Sequence, residues 1–270
     1  MGHDKLRKFR ENETFSCLIQ PSAEEILDRS DPQSKSLKLI DHPIKGNWNS
    51  KVFAKPQPII LELGCGKGEY TIDLALRNPD CNYIGVDIKG ARLWKGAKYA
   101  TEHNLPNVAF LRTRIEFIEA FFEKDEVSEI WLTFSDPQMK SENCRLTSPG
   151  FLERYRSFLK PNGIINLKTD SIFLYQYTLA AIKASNLKLL ASTSDLYNTP
   201  KEDLTTSSEI AENSIDALYE VQTFYEKMFL KQGFKICYLA FTIDHDGAYQ
   251  KPEFDAKYWR EIDPPRHLEF

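Results

Sequence analysis

Short apolar runs recur along the chain from Ile59 onward, each closing on a polar residue and each followed by a stretch of helical period. The pattern predicts strands at 59–63, 82–86, 108–112, 129–134, 163–168, 187–193 and 235–243. Helices are predicted between them at 69–77, 90–103, 115–122, 149–159, 171–185 and 222–232. Strand–helix alternation at this spacing implies an α/β fold with a mainly parallel, seven-stranded sheet and helices on both faces. The direction of the last strand is left open by its long connection. Residues 1–58 are polar, proline-bearing and weakly periodic, and read as a partly flexible N-terminal arm with a basic start at Lys5, Arg7, Lys8 and Arg10. The main domain is expected over 59–245 and a C-terminal tail over 246–270. An insertion at about 198–222, rich in Ser, Thr, Asp and Glu, is long enough to be either functional or mobile.

Composition narrows the class. With 270 residues, 41% hydrophobic and 27% charged, the chain can bury one large core. No apolar run approaches the roughly 18 residues of a membrane helix, and no apolar segment follows the charged start. A cytoplasmic protein is expected. The five cysteines and five histidines are scattered without ligand spacing, so neither a disulfide framework nor a metal centre is expected. A formal net charge of −4 means that any contact with nucleic acid must rest on local basic patches.

The chemistry concentrates where predicted strands end. Ile59 to Gly68 read I-I-L-E-L-G-C-G-K-G, a strand closing on Glu62 and a turn with glycine at 64, 66 and 68, just before a helix. In an open α/β sheet this is the place that receives a nucleotide-like ligand. The second strand closes on Asp87, where an acid can hold ribose hydroxyls. The G-x-G-x-G spacing differs from the dinucleotide fingerprint, and with Asp87 it favours S-adenosylmethionine over a pyrophosphate cofactor. A nicotinamide-dependent oxidoreductase fails on that spacing. The third strand opens into the Arg112–Glu116 stretch, the fourth ends at Asp136 and Pro137, and the fifth at Lys168, Thr169 and Asp170.

The turn after the fourth strand discriminates among methyl transfers. It lacks the aromatic of the Asp/Asn-Pro-Pro-aromatic turns that hold exocyclic amines, and Cys144 is not in a Pro-Cys context suited to pyrimidine attack. Guanine N7 has a free lone pair and needs only positioning, plus a group that favours the positive charge arriving on the purine. Asp136 and Asp170 are the candidate catalytic carboxylates.

These motifs, in this order, resemble the bacterial tRNA (guanine-N7-)-methyltransferases over about 43 to 244. The E-x-G-x-G-K-G turn appears as Glu62 to Gly68, the Y-I-G-[IV]-[ED] strand as Tyr83 to Asp87, and F-x-D-P as Phe134 to Pro137. Lys140, Arg145-Leu146-Thr147, Lys168-Thr169-Asp170 and Thr223-Phe224-Tyr225-Glu226 complete the set. The resemblance implies a Rossmann-like S-adenosylmethionine-dependent methyltransferase fold. It also implies methyl transfer to N7 of a tRNA guanosine, the variable-loop guanosine at position 46. By the same resemblance Glu62, Gly64, Gly66, Gly68, Asp87, Arg114 and Asp136 belong to the cofactor, with Arg114 standing where the family usually has an adenine-reading Asp. Lys140, Asp170, Thr223, Phe224, Tyr225 and Glu226 belong to the substrate. The run D-P-Q-M-K-S-E-N-C-R-L is two residues shorter and less basic than its family counterpart, and Phe224 replaces a usual Glu. Phosphate contacts are expected from Lys140, Arg145 and the arm at 5–10. The expected partner is tRNA, with no membrane and no metal, as monomer or homodimer. The competing reading is a non-catalytic RNA-binding protein on a methyltransferase-like fold.

Overall fold

The computed structural model describes residues 2–28, 30, 38–205, 207–243 and 246–263. Parts of the expected arm (1, 29, 31–37), residue 206 of the insertion, residues 264–270 of the tail, and His245 and His267 lie outside the described residues. The chain divides into two units, Met1–Ile130 with Ser157–Lys160, and Trp131–Arg156 with Pro161–Phe270.

The first unit opens with α1 (Gly2–Asn12), β1 (Leu18–Ile19), α2 (Ala23–Ile26), the antiparallel pair β2 (Leu27–Asp28) and β3 (Lys38–Leu39), and α3 (Trp48–Lys51). The arm is therefore largely built into the unit. α1 packs on a later helix, β1 joins the main sheet, and Trp48 is fully buried, its indole N–H donating to the Phe121 carbonyl at 2.9 Å and its ring stacked on Phe122 at 5.4 Å. Then come β4 (Ile59–Leu63), α4 (Glu69–Arg77), β5 (Asn82–Asp87), α5 (Gly90–Glu102), β6 (Val108–Arg112) and a 3-10 turn at Ile115–Ala120. β4, β5, β6 and β1 pair in parallel in the order β1-β6-β5-β4, so their carboxyl ends share one edge. Every residue of β4 and β5 is buried, as strands covered on both faces require.

β7 (Val127–Thr133) and β8 (Leu159–Thr169) run through both units. The second unit adds α6 (Pro149–Arg156), α7 (Ile172–Ala184), β9 (Leu189–Thr193), α8 (Lys201–Leu204), α9 (Glu212–Glu220), α10 (Phe224–Lys231), β10 (Cys237–Thr242) and α11 (Ala256–Ile262). β10 is antiparallel to both β8 and β9, which settles the direction left open above. The predicted strands are all present, and among the described residues the two-residue β1 makes the main sheet eight-stranded in place of seven. The insertion carries α8 and α9. Among the described residues no helix is long and apolar enough to cross a membrane.

One ring sets how closely the first unit's elements approach. Phe110, fully buried on β6, occupies the space that side chains would take at Gly68, Gly85 and Gly96. A Cβ at Gly96 would stand 2.5 Å from Phe110 Cζ and 3.0 Å from the Lys67 carbonyl. Gly96→Ala should therefore destabilise by about 1–3 kcal/mol, the usual cost of overpacking. Phe110→Leu opens room, so the double variant should lose less than the sum of the two single losses. Urea unfolding of the three proteins tests this, and strictly additive losses would show that the ring and the glycine do not compete for space.

Candidate active site

In the first unit, parallel pairing brings the ends of β4 and β5 side by side and lays the glycine turn across them. The amides of Gly64 and Cys65 both donate to the Val86 carbonyl, at 2.8 and 3.0 Å. Gly64 and Gly66 take left-handed φ values of 81° and 58°, and a Cβ built on either would meet nothing within 4 Å. These two glycines thus front open space. Beside them, Asp87 accepts from the Gly66 amide at 3.0 Å through Oδ2 and from the Lys89 amide at 2.7 Å through Oδ1. The carboxylate is fixed by two backbone donors and belongs to the same turn.

Glu62 has a different geometry. It is buried under the first turn of α4, where Oε2 accepts from both the amide (2.8 Å) and the hydroxyl of Thr71. A carboxylate at a helix N-terminus is favoured by the orphan amides and the positive end of the dipole. Glu62 thereby holds the helix onto the strand that feeds the turn. Cys65 lies between the two acids. Burial first, and then the charges of Glu62 and Asp87, push its thiol well above the ordinary value. Arg114 is exposed, ion-paired with Glu116 at 3.0 Å and lying over the Phe117 ring. Of the basic arm, Arg7 pairs with Asp4 and Glu11, Lys8 pairs with Asp4, and both cations lie over Trp94.

In the second unit the Phe134 amide donates to the Lys168 carbonyl at 2.8 Å, which sets the turn after β7 beside the exit of β8. Asp136 is exposed in that turn and accepts from the Gln138 amide at 2.9 Å. Phe134 and Gln138, on either side of it, have φ of 50° and 46°. Non-glycine residues in that region cost on the order of 1–3 kcal/mol each and persist only where the surroundings enforce them. Here the enforcement comes partly from Arg145, which is 3% exposed and lies against the rings of Phe173 (4.8 Å) and Tyr177 (4.4 Å). Its Nε donates to the Pro137 carbonyl at 3.2 Å and Nη2 to that of Met139 at 3.3 Å. The expectation that Arg145 grips phosphate is corrected: its guanidinium faces inward, and burial lowers its pKa. Lys140 is exposed in the same loop.

Asp170 is half-buried at the exit of β8. Its charge helps burial to push the Cys237 thiol up to about 12, with burial the larger cause. Two residues earlier, Lys168 is fully buried. Its ammonium pairs with Glu226 Oε1 at 2.8 Å and donates to the carbonyls of Leu218 (2.7 Å) and Val221 (3.1 Å). Burial lowers the Lys168 pKa, and Glu226 opposes that shift. The Tyr197 hydroxyl also donates to Glu226 Oε1, at 2.6 Å, while Glu226 Oε2 has no hydrogen-bond partner. Thr223 caps α10 by accepting from the Glu226 amide. Phe224 is 51% exposed, edge-on to Tyr225. The two sequence motifs K-T-D and T-x-Y-E are thus one constellation. Lys168, Tyr197 and Arg145 are structural members of the site for which local sequence offers only one hint, that two separated motifs carry opposite charges.

Comparison with known proteins follows the same lines. The sequence model of a family described as putative methyltransferase matches residues 56–237. A tRNA (guanine-N(7)-)-methyltransferase of Christiangramia forsetii is 46% identical over 245 residues, 89% of this chain and 98% of its own. The proteins of that name from Bacteroides thetaiotaomicron and Bacteroides fragilis are 44% and 43% identical, over 98% and 95% of this chain and 94% and 92% of their own.

The buried ion pair makes a stability prediction. Glu226→Gln keeps the shape but leaves the Lys168 ammonium without a counter-charge, and should destabilise by about 3 kcal/mol, at the lower end for a broken buried pair. Replacing both partners, Lys168→Met with Glu226→Leu, should recover most of that loss. Denaturant titration decides. A Glu226→Gln protein as stable as the wild type would mean that the pair is not what holds α10 to β8.

Proposed function

Because the chain belongs to the tRNA (guanine-N(7)-)-methyltransferase family, we propose that it methylates N7 of the variable-loop guanosine at position 46, with Asp170 and Asp136 as its catalytic carboxylates. It is an S-adenosylmethionine-dependent tRNA (guanine-N7-)-methyltransferase. The position and the residue roles are our reading. One observation carries it: the Phe134–Lys168 backbone bond brings the Asp136 turn and the Asp170 exit together at one strand edge.

The first unit fits the cofactor. Open space in front of Gly64 and Gly66, next to a carboxylate fixed by two amides, suits a nucleoside whose ribose hydroxyls donate to Asp87. When bound, S-adenosylmethionine supplies an electrophilic methyl on a sulfonium. Every other requirement falls to the chain. Glu62 keeps the turn in register with α4, and the glycines keep side chains out of the way. Cys65 is buried, and burial with the neighbouring acids raises its thiol pKa and disfavours the thiolate.

On the substrate side, N7 already carries a lone pair, so no base is required. Methylation places positive charge on the purine, and a carboxylate accepting from guanine N1–H and the 2-amino group both orients the ring and favours that charge. Asp170 is assigned this role, and Asp136 adds negative potential from the adjoining turn. Phe224, half-exposed at the start of α10, offers a face for stacking on a base, with Tyr225 beside it and Thr223 fixing the helix start. Exposed Lys140 is suited to a phosphate. A tRNA substrate argues for work in the cytoplasm.

Nuclease digestion and mass spectrometry of tRNA incubated with enzyme and cofactor should show 7-methylguanosine at position 46. A transcript with adenosine there should stay unmodified, and methylation elsewhere would refute the assignment. Asp87→Ala should weaken S-adenosylmethionine binding by about 1.5–3 kcal/mol, read by calorimetry, whereas unchanged affinity would remove Asp87 from the ribose. Asp170→Asn presents a donor to guanine N–H groups and should slow turnover on the order of 10²-fold with cofactor affinity retained. Wild-type turnover in that variant would mean that another residue holds the guanine.

A further inference from the structure

The matched family region ends at residue 237, yet the chain beyond it touches both turns that carry the candidate carboxylates. Arg260 Nη2 donates to the Met139 carbonyl at 3.1 Å, three residues past Asp136. Lys251 pairs with Glu142 at 3.0 Å in the same loop. At the other turn, the Ser171 hydroxyl, adjacent to Asp170, donates to Asp263 Oδ2 at 2.5 Å while accepting from the Leu174 amide to cap α7. Ser171 and Asp263 are both buried, and the charges of Asp170 and Asp263 both act on Cys237. Between these points Phe254 makes T-shaped contacts with Phe173 (5.2 Å) and Tyr177 (5.4 Å), the two rings that lie against Arg145.

Physical reasons make these contacts more than incidental. The Asp136 turn is only half-buried and contains two residues in the left-handed region, so its own backbone favours relaxation. Arginine side chains hold two of its carbonyls, that of Pro137 through Arg145 and that of Met139 through Arg145 and Arg260 together. The aromatic platform under Arg145 is closed by Phe254. Asp170 hangs on a strand exit whose next residue is tied to Asp263.

We propose that the segment Lys251–Asp263 is a positioning brace for the reaction, with Arg260 setting the Asp136 turn and Asp263 setting the Asp170 exit. The proposal rests on the reading of those two aspartates as the catalytic carboxylates. Neither Arg260 nor Asp263 is a catalytic residue. They act by keeping two carboxylates where guanine needs them, and a misplacement of about 1 Å costs roughly 10²-fold in rate.

The test uses the full chain, its tRNA and S-adenosylmethionine. Arg260 is exposed, so Arg260→Ala should fold normally. It should lower kcat roughly tenfold with KM for tRNA and cofactor affinity within about twofold, a partial loss of the positioning effect. Arg260→Lys, which can still reach the Met139 carbonyl, should restore most of the rate. Asp263→Ala should behave like Arg260→Ala, and Asp263→Asn, which still accepts from Ser171, should stay near wild type. Hydrogen exchange supplies a readout that does not pass through activity: amides of 138–141 should exchange faster in Arg260→Ala. Wild-type kcat with unchanged exchange in Arg260→Ala overturns the brace, as does a loss that Arg260→Lys fails to restore. If instead the wild type leaves position 46 unmethylated, it is the underlying reading that fails, whatever the exchange data show.

Discussion

A lysine ammonium with no exposed surface must find its partners inside the protein, and in the second unit that demand organises everything around the β8 exit. Lys168 satisfies it from three directions: the Glu226 carboxylate on α10 and the carbonyls of Leu218 and Val221 at the end of α9. Those three contacts fix the start of α10, where Thr223, Phe224 and Tyr225 stand, against the strand that delivers Asp170. Tyr197, donating to the same carboxylate oxygen, ties in the chain that enters the insertion. Such pairs contribute little net stability against a hydrophobic alternative, but an arrangement that leaves either charge unpaired is strongly disfavoured. The consequence is a narrow set of allowed placements for α9 and α10.

A similar rule operates in the first unit with the charge reversed. Glu62 is buried, and the first turn of α4 supplies its donors. The acids around these strand ends and on α10 thus divide by what surrounds them. Glu62 and Glu226 are enclosed and hold backbone or side-chain partners in place. Asp136 and Asp170 remain accessible on turns, and Asp87 is fixed by amides next to open space. The enclosed acids set the positions from which the others can act.

Local sequence carries the core elements well because their determinants are local. The run before Gly64, apolar but for Glu62, and the break at the glycines bound β4 and α4, and both occupy the stretches expected from pattern. β8 begins earlier than its apolar run suggests, since the strand already includes Leu159 to Gly163 in spite of proline and polar residues. α1 and the insertion helices were not legible. α1 is polar along most of its length, and its order comes from α5 across many residues of chain. α9 ends on carbonyls that a distant lysine requires. Arg145 looks like a surface base in a polar loop, and only the rings of Phe173 and Tyr177 on α7, the second helix after it, make its burial intelligible. The glycines, Asp87 and the two turn aspartates could be named from sequence because each follows a strand end. The network behind them could not, being made of side chains with no common period.

Cys65 shows what this crowding of carboxylates does to a reactive group. A cysteine just before a helix N-terminus commonly ionises with ease, and the thiolate is the form that peroxides and alkylating agents attack. Here the surroundings act the other way, with the thiol buried and two acids beside it. The glycine turn therefore carries sulfur in a setting that disfavours the thiolate. Burial and the adjacent acids both work against attack by an oxidant at this sulfur.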